Sequence, residues 1–289
     1  MTVIWVLENI KKNYNSNDYY IDSKFNVLLL LVSVHLWKKH NRDDKCVLYA
    51  DDLTIDFFNK HNLLEFWDSV KPLPKPRKIN KDIFWAATKV EVLAELDEPA
   101  IIMDNDTHFY RPVKHLLDLD KVYVCNLEEG KGYYPTSIDQ YVSKLSIKAR
   151  WQPQSVNVSF LNLPNPIFTK EYAEMSLQMM EEFSILEAPN SQYLIFSEQL
   201  LLRHLLDKKG IEYNSLISNY WNCNEWKWGE IHDKGIWTAE ESEIYFKHYG
   251  PLKGWYLNNK KGFSYEEQIK HLENCINLPN LNLSNLPRR

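Results

Sequence analysis

The sequence predicts a doubly wound α/β sheet. Three short apolar runs alternate with segments of helical periodicity, and the third run ends in a pair of acidic residues. The runs are Thr2–Leu7, Cys46–Tyr49 and Ala100–Met103; each is rich in β-branched or aliphatic residues, bounded by polar ones and too short for a helix. Between the first two, Phe25–His40 repeats apolar residues at helical spacing and ends in Lys38 and Lys39, which suit the negative end of a helix dipole. Leu53–Asn62 reads as a short helix, and Pro72, Pro74 and Pro76 make Val70–Ile79 a connector. Phe84–Leu96 reads as a helix with an apolar face, broken at Glu98 and Pro99. In doubly wound sheets ligands bind at the carboxyl ends of the strands, where the third strand delivers Asp104, Asn105 and Asp106.

The second half is less regular. Val122–Asn126 and the alternating Ser155–Leu161 read as strands, and Thr169–Phe183 and Ser197–Leu206 as helices. Tyr220–Trp237 holds Trp221, Trp226, Trp228 and Trp237 among polar residues, as a stacking surface for a ligand or as a small aromatic core under a long loop. Ile244–Tyr249 reads as a last strand leading to Gly250, and Tyr265–Cys275 as a helix before a polar tail. With no clear linker, the expectation is one domain over residues 1–260, with halves at 1–115 and 116–260, followed by a C-terminal helix and tail at 261–289.

Composition removes several classes. The formal net charge of −5 argues against a general nucleic-acid binder. Only 8 glycines in 289 residues leave no glycine-rich phosphate loop. Cys46, Cys125, Cys223 and Cys275 are far apart, which suits reduced thiols rather than a zinc ribbon or a disulfide framework. The longest apolar run, Val27–Val34, is well short of the ~20 residues that span a bilayer. A cytoplasmic location is expected, with peripheral contact to a membrane left open.

Asp104 and Asp106 are one residue apart at a strand end, so their side chains point to the same side of an extended chain. Two like charges held together call for a cation, and hard oxygen ligands suit Mn²⁺ or Mg²⁺, ions that also bind substrate phosphates. A plain turn closing the strand is the structural alternative. A phosphatase-type nucleophile motif fits less well, because His108 stands where that motif has Thr. A second constellation is His248, Gly250, Lys253 and Trp255. Imidazole ligates Mn²⁺-type ions, glycine allows close backbone approach, and an ammonium suits a phosphate.

With these two pieces the chain resembles nucleotide-sugar-dependent glycosyltransferases of the GT-A fold. Asp104-Asn105-Asp106 matches their D-x-D. The segment from His248 to Trp255 resembles the H-x-x-G-x-x-K-P-W of glycogenin-like retaining families, one residue shorter and with Gly254 in the proline place. The resemblance implies a Rossmann-like mixed α/β sheet flanked by helices, with a nucleotide-binding and an acceptor half. It implies Mn²⁺ or Mg²⁺ held by Asp104, Asp106 and His248 against the diphosphate of a donor sugar, UDP-linked by preference. Lys253 would stabilise the leaving group. Leu7, Glu8 and Asn9 would frame the nucleoside, with Asp51 either helping there or, the stronger reading, closing a turn; Asn105, Gly250 and Trp255 would line the donor, as would Lys89 unless it is a plain solvated helix lysine. Asn157 would serve the sugar or acceptor, and Glu198, on the helix expected from Ser197, would be a catalytic carboxylate or a plain helix-start residue facing the dipole. The acceptor would be a glycan, free or lipid-linked. A sugar-binding protein without transfer activity and a sugar-nucleotide nucleotidyltransferase are the alternatives. The stretch Leu7–Asn13, which lacks glycine, counts against the latter.

Overall fold

The computed structural model describes residues 1–9, 20–130, 154–185, 191–250, 253, 256 and 264–276. In chain order the elements begin with β1 (Thr2–Leu7), α1 (Lys24–His40), β2 (Lys45–Ala50), α2 (Asp52–Lys60), β3 (Ser69–Pro72) and α3 (Ala87–Ala94). Then come β4 (Ala100–Met103), β5 (Thr107–Phe109), β6 (Val122–Glu129), β7 (Gln154–Leu163) and α4 (Pro166–Ser184). A short helix, α5 (Ser191–Ile195), passes through a π-helical turn at Phe196–Leu200 into α6 (Leu201–Lys209). The rest comprises β8 (Tyr213–Ile217), β9 (Asn219–Asn222), β10 (Lys227–Ile231), β11 (Gly235–Trp237), α7 (Ala239–Tyr245), β12 (Phe246–His248) and α8 (Tyr265–Ile276). The fold is mixed α/β with a mostly parallel sheet flanked by helices.

The chain forms two compact units, and both are discontinuous. The first comprises Met1–Leu73, Met103–His115 and Glu243–Arg289; the second comprises Pro74–Ile102 and Leu116–Ser242. The halves expected from the sequence, 1–115 and 116–260, follow the chain, whereas the compact units interleave along it.

In the first unit β1, β2 and β3 are parallel, with Leu7 opposite Ala50 and Ala50 opposite Pro72. Helix α1 is capped by Ser23, whose hydroxyl accepts from the Asn26 amide. Its run Val27–Val34 is buried on all sides, as expected of a helix apolar around its circumference. Ser33 is the polar exception: its hydroxyl accepts from Trp5 Nε1 at 2.9 Å and donates to the Thr107 carbonyl at 2.6 Å. That fully buried hydroxyl ties β1, α1 and β5 together without leaving a buried polar group unmet. Strands β5 and β12 form an antiparallel pair with Phe109 opposite Phe246 and Thr107 opposite His248. Helix α8 packs on α1, with Lys24 and Glu273 paired at 2.6 Å.

In the second unit β6 carries β7 antiparallel on one edge, while β8 and then β9 run parallel to it on the other. Strand β4 lies next to β7. Helix α4 starts at an Asn165 cap with Pro166 in its first turn and packs on α3. Strands β9 and β10 form a hairpin in which Trp221 faces Trp228. A Cβ at Gly229 would come within 1.9 Å of the Tyr220 ring, so only glycine lets that ring lie across the hairpin.

Five expectations change. The start of the predicted connector Val70–Ile79 belongs to an edge strand, Ser69–Pro72, where a proline is tolerated. Helix α3 begins at Ala87, because Phe84, Trp85 and Ala86 form turns rather than a helical start. The helix expected over Ser197–Leu206 is interrupted by the π turn that contains Glu198. The tryptophan-rich stretch is three strands rather than a long loop. The strand expected over Ile244–Tyr249 is shorter, Phe246–His248, because Ile244 and Tyr245 are the last residues of helix α7. Thr238 and Glu241 form a reciprocal capping box there, with Thr238 N to Glu241 Oε2 at 2.8 Å and Glu241 N to Thr238 Oγ1 at 3.2 Å. Cys46 and Cys125 are buried free thiols, and burial pushes the Cys46 thiol up to about 12. No described helix is long and apolar enough to cross a membrane.

Candidate functional site

Strand β4 ends at Met103, and the chain turns through Asp104–Asp106 before β5. The turn is closed by Thr107 N donating to the Asp104 carbonyl at 3.2 Å. Asn105 Nδ2 donates to the Val6 carbonyl at 3.1 Å, which fastens the turn to the end of β1. The middle residue of the D-x-D is therefore a fastener for the two carboxylates, whereas the sequence placed it at the donor.

The β5–β12 pairing brings in the imidazole. His248 lies opposite Thr107, and the amide of Tyr249 donates to the Asp106 carbonyl at 3.1 Å, so the far end of the chain is held against the turn. One ligand atom each of Asp104, Asp106 and His248 lie within 4.8 Å of one another. Asp106 is buried at 3% exposure, while Asp104 and His248 are half-buried, so the cluster opens on the side of Asp104 and His248. Asp106 Oδ1 is 3.8 Å from His248 Nε2, and Asp106 Oδ2 is 2.6 Å from Lys253 Nζ. Two carboxylates and an imidazole form a hard oxygen and nitrogen donor set that fits Mn²⁺ or Mg²⁺.

Gly250 has a positive φ of 28°, and a Cβ there would sit 3.1 Å from His248 Cε1. The sequence assigned this glycine to close approach of a ligand; here it makes room for the imidazole. Trp255 lies outside the described residues.

Two neighbours of the cluster were not singled out as site residues by sequence. Tyr20 is buried, and its hydroxyl donates to the Asn26 carbonyl at 2.9 Å. Burial, with the charges of Asp106 and Asp104, holds its pKa well above the ordinary tyrosine value, so it stays a neutral donor. His108 is fully buried, and its Nε2 lies 2.9 Å from the Leu29 carbonyl, an arrangement in which that nitrogen donates. Burial lowers its pKa to about 3, so it packs as a neutral ring against Tyr249, with centroids 4.9 Å apart.

The residues expected around a nucleoside are partly committed to the fold. Asp51 Oδ1 caps α2 through the Thr54 amide at 2.8 Å, and its Oδ2 accepts from the Asn9 amide at 2.6 Å. Asn9 Oδ1 accepts from the Ile21 amide at 3.2 Å. Leu7 is buried at the end of β1, and Glu8 beside it is half-buried. Asp51 therefore shapes the loop after β1, and Glu8 is the more open residue there.

Lys89, Glu198 and Asn157 all lie within the second unit. Lys89 Nζ and Glu198 Oε1 form an ion pair at 2.8 Å, with side-chain exposures of 12% and 6%. Lys89 also reaches the Val158 carbonyl at 3.5 Å. Glu198 sits on the π turn, a distortion common at functional sites, and its carbonyl accepts from the Tyr172 hydroxyl at 3.0 Å. Asn157 Nδ2 donates to Glu128 Oε1 at 2.6 Å, and Asn157 Oδ1 accepts from the Ser159 amide at 3.0 Å. On the β9–β10 hairpin, Trp221 meets Trp228 edge-on at 5.1 Å and Trp226 at 6.4 Å, and Trp226 is 48% exposed.

The family model described as a family of unknown function, DUF6734, matches residues 1–249. The chain belongs to that family. No curated protein matches it. Among solved structures, this DUF6734 chain is similar to the galactosyltransferase LgtC in complex with donor and acceptor sugar analogs. The two are 11% identical, with a TM-score of 0.50 over 96% of this chain and 97% of that one. The glycosyltransferase GlyE of Streptococcus pneumoniae TIGR4 is 13% identical, with a TM-score of 0.36 over 68% of this chain and 42% of that one. The α/β architecture of the DUF6734 chain is that of LgtC.

Proposed function

We propose that this DUF6734 chain is a Mn²⁺- or Mg²⁺-dependent glycosyltransferase that moves a sugar from a nucleoside diphosphate sugar, UDP-linked by preference, to a glycan acceptor. The observation that carries the reading is the convergence of Asp104, Asp106 and His248 within 4.8 Å, with Lys253 beside them. Its supporting context is the fold shared with LgtC, a galactosyltransferase described with donor and acceptor sugar analogs.

In this reading Asp104, Asp106 and His248 hold the divalent ion, and Leu7, Glu8 and Asn9 frame the nucleoside. The ion, when bound, neutralises charge that develops on the departing diphosphate. Lys253 adds a second positive charge on the same leaving group, Asn105 keeps the two carboxylates in register, and Gly250 keeps the imidazole in place. Glu198 and Asn157 are assigned to the sugar and acceptor, with Lys89 holding the Glu198 carboxylate in place. The acceptor is a free or lipid-linked glycan, and transfer takes place in the cytoplasm.

A thermal-shift panel of UDP, GDP, CDP and dTDP, each with and without Mn²⁺, tests this. A ligand that binds only the folded chain raises the midpoint by mass action. A shift for one nucleotide that requires Mn²⁺ is the expected result and names the donor base. No shift with any of the four overturns the reading.

A further inference from the structure

Asp106 shows its two carboxylate oxygens to two different cationic or metal-ligating partners. Oδ1 faces His248 Nε2 at 3.8 Å, and Oδ2 takes Lys253 Nζ at 2.6 Å. The side chains of Asp106 and Lys253 are 4% and 22% exposed, so water screens this pair only in part. An ammonium so placed acts on the cluster in two ways. It neutralises one of the two carboxylates that would attract a divalent ion, and it repels any ion seated at Asp106 Oδ1, Asp104 and His248. A diphosphate reverses the sign of the second effect, because its oxygens can lie against both cations at once. Lys253 reaches Asp106 on a flexible four-carbon stem, which lets the same ammonium turn from a carboxylate to a phosphate.

The geometry points to Lys253 as a built-in counter-cation that makes the divalent ion and the diphosphate bind as a pair. It weakens the hold of Asp104, Asp106 and His248 on the ion alone and adds attraction once the diphosphate arrives. The inference rests on the glycosyltransferase reading and deepens it, because it assigns this chain a joint rather than a stepwise loading of ion and donor. Coupling of this kind is reciprocal: UDP improves Mn²⁺ binding by the factor by which Mn²⁺ improves UDP binding.

The test measures Mn²⁺ binding to the full chain by electron paramagnetic resonance, with and without UDP, for wild type, Lys253→Met and Lys253→Arg. Lys253→Met is expected to bind Mn²⁺ alone about 10-fold tighter than wild type, a gain of about 1.4 kcal/mol. The factor by which UDP improves Mn²⁺ binding is expected to shrink by a similar amount, and Lys253→Arg, which keeps the charge, is expected to restore it. Should Lys253→Met fail to fold, Lys253→Gln gives the same reading. Unchanged or weaker Mn²⁺ binding in the uncharged variants, with wild-type coupling intact, overturns the inference alone, leaving Lys253 as an anchor for Asp106. No effect of UDP on Mn²⁺ binding in wild type overturns the donor reading and the inference with it.

Discussion

In the first unit two carboxylates, Asp104 and Asp106, stand beside one imidazole and the ammonium of Lys253; in the second, Glu198 pairs with Lys89. Both clusters use the same side-chain chemistry. Counting the described side chains of each cluster, the first has two carboxylates to one ammonium and includes half-buried Asp104 and His248, whereas the second is an ion pair with both side chains largely buried. An unbalanced open cluster has room for an added cation. A balanced buried pair has its charge met internally, and breaking it leaves a desolvated charge behind. The difference divides the expectations: under the proposed function the first cluster receives the ion, and the second holds a carboxylate in one place on a distorted turn.

The largest expected effect tests the second cluster. Lys89→Met leaves Glu198 buried without its counter-charge and is expected to cost about 3–5 kcal/mol in urea unfolding. The double variant Lys89→Met with Glu198→Gln is expected to recover most of that; no recovery would mean that the ion pair is not the source of the loss. Next comes the first cluster. Asp106→Asn keeps the shape and removes the charge, and it is expected to weaken Mn²⁺-dependent UDP binding by roughly 100-fold, about 2.7 kcal/mol, in titration calorimetry with the melting midpoint little changed. Unaltered affinity would place the donor elsewhere.

A third effect separates the units by pH. Folded His108 stays neutral down to about 3, whereas the unfolded chain protonates it near the ordinary histidine value of about 6.5. The unfolded state therefore binds more protons in between, and the stability that His108 contributes is complete above 6.5 and lost as the pH falls toward 3. Between pH 6.5 and 5 the expected loss is about 2 kcal/mol by denaturant unfolding, and His108→Gln is expected to flatten that slope. The smallest effect is at Gly250. Gly250→Ala puts a Cβ 3.1 Å from His248 Cε1 at a positive φ, with an expected stability cost of about 1 kcal/mol and a few-fold loss of Mn²⁺ affinity. An unchanged affinity there would show that His248 is not a ligand.

Most of the α/β framework was legible because its strands and helices carry their own signals. β1, β2 and β4 are apolar runs of strand length, and α1 and α4 keep helical spacing between recognisable caps. Asp104 and Asp106 were legible because they follow such a strand directly. What was not legible depends on pairing across the chain. β12 falls inside the strand expected over Ile244–Tyr249, but its partner β5 is three residues long and exists because it bonds to β12, so no local pattern announces β5 or the pairing. Lys89 and Glu198 were each read as separate contacts, and nothing in their neighbourhoods says that they meet. Helix α7 is a different case. Thr238 followed three residues later by Glu241 is a capping-box pattern, a local signal for the helix that the reading of Ile244–Tyr249 as a strand does not use.

The facing tryptophans of the β9–β10 hairpin have an optical consequence. Trp221 and Trp228 lie 5.1 Å apart with their planes at 73°, close enough for their excited states to mix. Such a chirally arranged pair gives a far-ultraviolet circular dichroism couplet that disappears when the two indoles separate. Both rings belong to the second unit, far in sequence from Asp104 and Asp106, so the couplet is an intrinsic beacon for that unit alone. Its melting curve, set beside total helix signal, would report whether the two units come apart together or in turn, without any label on the chain.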